Sequence, residues 1–419
     1  MAKISKIRAR EVLDSRGNPT VMAEVVLSDG KEGCAIVPSG ASKGKYEAME
    51  LRDTDSLRYH KRGVLAAVKN VVEVIAPALS GLSAYNQTEA DSIMIALDGS
   101  LNKSNLGANA ILSVSLALSR AAASSLGIPL YRYLGGALVN RLPVPMMNVL
   151  NGGAHAKNNI DVQEFMIVPV GAASFSEGVR MCAEVYRTLY NNLLSSRLET
   201  SVGDEGGFAP SLPDDEEAIK LLLRSVESAG YRAGEDFMLA LDVASSDWWT
   251  GGGYVMPKRN KKYTSDEIVG YFLSLCEKYP ILSLEDAVGE EDFYGWSRIT
   301  EAVRGRQTVL VGDDFFVTDE RRIREGIERK LANAVLIKPN QIGTLSETWK
   351  AINVARSGGY KTIMSHRSAD SEDSFIADFA VGASCELIKC GAPARAERTA
   401  KYNRLMKIES EIYMSSYGV

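Results

Sequence analysis

Residues 334–343 read AVLIKPNQIG, an apolar run that ends in a lysine and a proline. Four apolar residues are too few for a helix and suit a strand covered on both faces. Pro339 stops the ladder, so Lys338 stands at the carboxyl end of a buried parallel strand, where open α/β sheets and barrels keep their chemistry. A lysine held there and partly desolvated is pushed toward the neutral amine and can act as a base. Taken alone, the same residue also reads as a snorkelling lysine with its head in water.

The ends of the other apolar runs carry the rest of the chemistry. One ends in Asp242, the next in Glu285-Asp286, the next in Asp313-Asp314; a later one leads into His366-Arg367-Ser368, and the last carries Lys389. A single acid at such an end is commonly a helix cap. Three on consecutive strands would converge on one mouth, where two carboxylates about 4 Å apart repel by roughly 4 kcal/mol at an effective dielectric near 20. They require a cation or protons, and oxygen ligands without cysteine or histidine select Mg²⁺ over zinc. Arg367 and Ser368 follow the seventh strand, a common phosphate position in barrels, and arginine offers that group a bidentate fork. His155 and Glu205 lie in glycine-bearing loops, NGGAHA and GDEGGFAP, and Glu164 opens the second strand. His155 also reads as a structural histidine and Glu205 as a solvated loop acid.

Stepping outward, the elements that must hold these residues fall into two groups. Residues 3–12, 20–27 and 31–37 alternate or run apolar between turn residues and read as an antiparallel meander. A small-residue loop, PSGASKG at 38–44, follows and reads as a connector or as a lid whose serines close on a ligand. Helical spacing then covers 64–79, 87–97 and 105–126. With Gly135-Gly136 as the boundary, residues 1–135 form an α+β domain and 136–419 a catalytic one. In the second domain, strands at 144–150, 164–170, 237–243, 281–285, 308–313, 334–338, 361–365 and 385–389 alternate with helices, predicting a (β/α)₈-type barrel. Nothing helical separates its first two strands, and two helices, 174–197 and 214–230, then follow in succession. This irregular ββαα start predicts an antiparallel second strand.

Composition narrows the function. The 419 residues carry 48 basic and 53 acidic side chains, a net charge of −5, which argues against a nucleic-acid surface and leaves small-molecule chemistry open. Five scattered cysteines without zinc-type pairs imply reduced thiols and a cytoplasmic protein. The charged N-terminal stretch is unlike a signal peptide, and no apolar run is long enough to span a bilayer.

At these residues the chain resembles the enolase family along essentially its whole length. The resemblance rests on DSRGNPT (14–20), PSGAS (38–42), LGANAIL (106–112), NGGAHA (151–156), QEFM (163–166), GDEGGFAP (203–210), GDD (312–314), IKPNQIG (337–343) and SHRS (365–368). It implies dehydration of 2-phosphoglycerate, with Lys338 abstracting the carbon-2 proton, Glu205 protonating the departing hydroxyl and Glu164 close by. It further implies a first Mg²⁺ on Asp242, Glu285 and Asp313, and a second on Ser42 of the lid. Lys389 and Gln163 would meet the substrate carboxylate, and Arg367 and Ser368, helped by His366 and His155, the phosphate. A homodimer or larger homo-oligomer is implied as well.

The chain also departs from the family pattern. Lys43 replaces the threonine of SGASTG, and Ala369, Asp370 and Ser371 alter SHRSGETED. Two further expectations follow. One is a paralogue dehydrating a modified phosphoglycerate, such as the carboxyphosphonate analogue of phosphonate natural-product pathways, with Lys43 meeting the extra anion. The other is a catalytically silent scaffold that binds partners, against which the retained Lys338, Glu205, Lys389 and metal acids count.

Overall fold

The computed structural model describes residues 1–40, 44–54 and 57–418. Strands β1 (Ile4–Leu13), β2 (Pro19–Leu27) and β3 (Glu32–Ile36) form an antiparallel sheet in the order β1-β2-β3. Alternation decides its inner face: Val21, Ala23, Val25 and Leu27 of β2 are buried. The helix Ala108–Leu126 packs on that face. Its alanines and serines permit a close approach, and Ser113 and Ser119 hydrogen-bond to the carbonyls of Ala110 and Leu116 in their own helix. Gly33 of β3 marks the closest point, since a Cβ there would lie 2.2 Å from the backbone nitrogen of Ala121. The segment predicted as one helix at 64–79 is helical throughout but contains a π turn at Val71–Ile75.

The remaining chain builds a closed barrel from β4 (Val144–Asn151), β5 (Glu164–Val168), β6 (Met238–Asp242), β9 (Ile281–Glu285), β10 (Val309–Gly312), β11 (Ala334–Ile337), β12 (Lys361–Ser365) and β13 (Leu387–Lys389). A small hairpin, β7 (Tyr254–Val255) and β8 (Lys262–Tyr263), lies between β6 and β9 in sequence. β5 runs antiparallel to both β4 and β6, as the missing crossover helix requires, and the other barrel pairings are parallel. Side chains fill the barrel: Met146, Met166, Ala240, Val311, Leu336 and Ile363 belong to an inner cluster distinct from the core beneath the helices.

The surrounding helices start at polar caps. Ser174, Asp214, Thr264 and Thr344 each accept from the backbone of the first turn, and Thr264 with Glu267 forms a capping box. Two further helices, Phe293–Val303 and Ala396–Glu411, lie where apolar periodicity gave no clear reading. In the second, Arg398 and Lys401 occupy inward positions beside Tyr402, Leu405 and Ile408, so charged residues mask a helical stripe.

The three-stranded sheet and its helices roof the carboxyl ends of the barrel strands. Ser39 pairs with Ala369 through two backbone hydrogen bonds of 2.8 and 3.0 Å. Arg120 of the long helix forks onto Asp373 at 2.7 and 2.6 Å. Lys103 reaches Glu347 at 2.9 Å.

Candidate active site

Strand register brings the first three acids together. Glu164 of β5 lies opposite Asp242 of β6, and Asp242 opposite Glu285 of β9. Lys389, at the end of β13, sends its ammonium across the mouth into this row. Its Nζ lies 2.9 Å from Asp242 Oδ2, 2.9 and 3.0 Å from the Glu285 oxygens and 3.1 Å from Glu164 Oε2. All four side chains are buried. Burial pushes Glu164 and Glu285 upward from the usual carboxylate range, with Glu205 and Asp242 respectively adding to the effect. Burial works to lower Lys389, but Asp242, Glu164 and Glu285 outweigh it and hold the ammonium strongly charged. Gln163, just before β5, points its amide at Asp242 from 3.4 Å.

Asp313 follows β10 and pairs with Lys338, the residue after β11. Gln341 donates to its other oxygen at 2.9 Å. Lys338 thus corrects one expectation. Burial favours the neutral amine as predicted, yet the Asp313 charge overrides it and raises the lysine above its ordinary value. The proline after Lys338 also does more than end the strand, since it begins a short helical turn, Pro339–Ile342.

Glu164 also belongs to a second group, with Glu205 and two histidines. Glu205, in its glycine-rich loop, and Glu164 both approach His155: Nδ1 lies 3.5 Å from Glu164 Oε1 and 3.9 Å from Glu205 Oε1. His366 Nε2 lies 3.5 Å from Glu205 Oε2. Burial opposes the charge on Glu205, but His366 and His155 hold it well below the usual range, while burial pushes His366 down to about 4. Both histidines therefore face the Glu164–Glu205 pair. Arg367 forks onto Glu47 at 3.0 and 3.2 Å and donates to Asn340 at 3.2 Å. Ser368 lines the same cavity.

These groups line one small cavity. Glu47, Glu164, Glu205, Asp242, Asp286, Asp313 and Asp314 line it against the cations Lys338, Arg367 and Lys389, with Glu285 buried alongside. A surplus of carboxylate oxygens without thiolates is the donor chemistry of a hard divalent cation, and the residues fit Mg²⁺. The ligand atoms of Asp286, Asp313 and Asp314 lie within 4.8 Å of one another, as do those of His155, Glu164 and Glu205. The expected set is arranged differently: Asp242 and Glu285 share Lys389, whereas Asp313 pairs with Lys338. Ser42 and Lys43 lie outside the described residues.

Several neighbours were not singled out from sequence. Asn148 of β4 is buried and donates to Glu205 Oε2 at 3.0 Å; a polar residue inside the buried run VPMMNVLN was its signal. Asp286, marked beside Glu285 in the sequence but given no role there, accepts from the backbone nitrogens of Asp313 and Asp314 at 3.0 and 2.9 Å, which fixes the turn after β10. Glu47 and Arg398 carried no signal, because their partners are hundreds or tens of residues away. Ala369, one of the expected departures in the loop after Ser368, has a φ outside the left-handed region, so the alanine introduces no backbone strain.

The family model described as "Enolase, N-terminal domain" matches residues 4–134, and "Enolase, C-terminal TIM barrel domain" matches 139–417. A protein named Enolase from Sulfurimonas denitrificans is 54% identical over 414 residues, covering 99% of this chain and 98% of its own length. With both halves matched and the acids, the lysines and Arg367 gathered in one barrel mouth, the chain belongs to the enolase family.

Proposed function

We propose that the protein removes water from 2-phosphoglycerate to give phosphoenolpyruvate, the hydro-lyase step of glycolysis. The observation that carries this reading is one cavity in which Lys338, paired with Asp313, and the Glu164–Glu205 pair stand apart, with Lys389 bonded among Glu164, Asp242 and Glu285 between them. That is a base and an acid facing a single small substrate. The full-length match to an Enolase does not favour the modified-substrate paralogue or the silent scaffold.

Lys338 takes the proton from carbon 2, and Glu205 delivers a proton to the 3-hydroxyl as the carbon–oxygen bond breaks, so that water leaves. Burial pushes Glu164 upward, while against burial His366 and His155 hold Glu205 down, so the proton that Glu205 passes on is drawn from Glu164 beside it. Lys389 and Gln163 orient the substrate carboxylate. Arg367 and Ser368 bind the phosphate, which competes with Glu47 for the same guanidinium fork, and His155 and His366 border the same space. Asp242, Glu285 and Asp313 would hold one Mg²⁺ and Ser42 of the lid a second. Bound there, Mg²⁺ would supply positive charge against the negative charge that develops when a proton leaves carbon beside a carboxylate. A cation held by Asp313 would share its charge and weaken its hold on Lys338, and burial would then favour the free amine.

Residues 1–135 act in this scheme as the capping domain and 136–419 as the catalytic barrel. Among the described residues no helix is long and apolar enough to cross a membrane. A cytoplasmic homodimer or larger homo-oligomer remains our reading.

Steady-state turnover of 2-phosphoglycerate, followed by enol-phosphate absorbance, tests the proposal. We expect activity with Mg²⁺, none in excess EDTA, and recovery when Mg²⁺ is restored. Absence of turnover with Mg²⁺ present would reject the function, and full activity in EDTA would reject the metal.

A further inference from the structure

Arg398 is fully buried in the C-terminal helix and lines no part of the cavity, yet its guanidinium touches four groups of the site's frame. Nη1 lies 2.6 Å from His366 Nδ1 and 2.6 Å from the carbonyl oxygen of Arg367. Nη2 donates to the carbonyls of Ser368 at 2.5 Å and of Asp204, next to Glu205, at 3.2 Å. Its stem passes Gly391, where a Cβ would lie 2.9 Å from Arg398 Cδ and 2.7 Å from the Glu205 carbonyl oxygen. The backbone there is left-handed, at φ +80°, so glycine both makes the turn and leaves the space.

An arginine has only donors, so the atom facing it at 2.6 Å must accept. That makes His366 Nδ1 the bare nitrogen and puts the ring proton on Nε2, the atom 3.5 Å from Glu205 Oε2. The same oxygen receives the Asn148 amide at 3.0 Å. Two donors on Oε2 leave Oε1 as the oxygen able to carry a proton, and Oε1 is the one turned toward His155 and Glu164.

We propose that Arg398 is a positioning residue: it fixes His366 in the Nε2–H tautomer and thereby confines the transferable proton of Glu205 to Oε1. The second half rests on the reading that Glu205 protonates the leaving hydroxyl; the first half does not. A cationic neighbour also opposes a second proton on the ring, in keeping with the low value of His366.

The test uses the Mg²⁺-loaded full chain labelled with nitrogen-15 histidine. The sequence holds three histidines (His60, His155 and His366), so the multiple-bond correlation spectrum is assignable with single His→Gln variants. Near neutral pH we expect His366 with a bare Nδ1 and a protonated Nε2. Arg398→Lys, which keeps a donor, should retain that pattern. Arg398→Met should give a mixture of tautomers and slow hydroxyl loss about 100-fold, while exchange of the carbon-2 proton with deuterium falls much less. A wild-type His366 protonated on Nδ1, or doubly protonated near neutral pH, overturns the proposal even if Arg398→Met does not fold. A folded Arg398→Met that keeps the wild-type spectrum overturns it as well. If the tautomer is as stated but Glu205→Gln still expels the hydroxyl at the wild-type rate, the functional role of Glu205 falls, and with it the placement of its proton.

Discussion

At the scale of single residues, the site separates two proton transfers in space. Lys338 is tied to Asp313 on the side of β10 and β11, and Glu205 lies with Glu164, His155 and His366 across the cavity. If each serves one step, removing either leaves a different trace. Lys338→Ala should abolish exchange of the carbon-2 proton with solvent deuterium and lower kcat at least ~10³-fold. Glu205→Gln should still show exchange while failing to release water. Isotope exchange measured by NMR on recovered 2-phosphoglycerate distinguishes them, and the opposite pattern would reverse the roles.

At the scale of elements, the loop after β12 is the part most heavily anchored. Lys401 donates to Asp370 at 2.8 Å and to the Ser371 carbonyl at 2.6 Å, and the backbone of Ser15 donates to the Asp370 carbonyl at 2.8 Å. Asp373 ends the loop with the Arg120 fork and a 2.9 Å bond from the Ile36 backbone. Burial works against its charge, but Arg120 prevails and holds the carboxyl below the usual range. A depressed folded-state value stabilises the protein above the unfolded-state value, near 3.9, and that stabilisation is lost as pH falls through the folded-state value. Asp373→Asn should therefore cost about 3 kcal/mol near neutral pH, because it leaves Arg120 without its counter-charge. Urea unfolding at several pH values should show the gap between variant and wild type narrowing toward acid. A constant gap would assign the loss to packing instead.

At the scale of the whole molecule, the barrel concentrates charge that water would otherwise screen. Seven strands deliver their carboxyl ends and β5 its amino end to one small volume, the opening sheet and helices cover it, and Lys389 and Lys338 offset only part of the negative charge. Mg²⁺ that binds the folded site and not the unfolded chain should stabilise the fold by about 2.7 kcal/mol at a concentration 100 times its Kd. The thermal midpoint should accordingly climb with Mg²⁺, and an Asp242→Asn/Glu285→Gln double variant should lose that dependence. An unchanged Mg²⁺ response in the double variant would move the cation elsewhere.

Period and spacing alone determined much of this protein. Alternating or apolar stretches between turn residues mark β1 to β3, short apolar runs closed by acids or lysine mark the barrel strands, and a missing crossover helix marks β5 as antiparallel. Local motifs likewise exposed Lys338, Glu205, Asp242, Glu285, Asp313 and Lys389, because each sits beside a strand end or a glycine turn that is visible in the chain. Tertiary structure decided what no window of residues contains. Lys338 is charged against Asp313 because strand ends 25 residues apart meet, and Arg367 faces Glu47 from 320 residues away. The helix carrying Arg398 and Lys401 escaped periodicity because its inward face is cationic, and it is inward only because buried carbonyls, His366 and Asp370 wait there to receive it. The balance between desolvation and a partner's charge is set by distances of a few ångströms, and those exist only once the chain has closed.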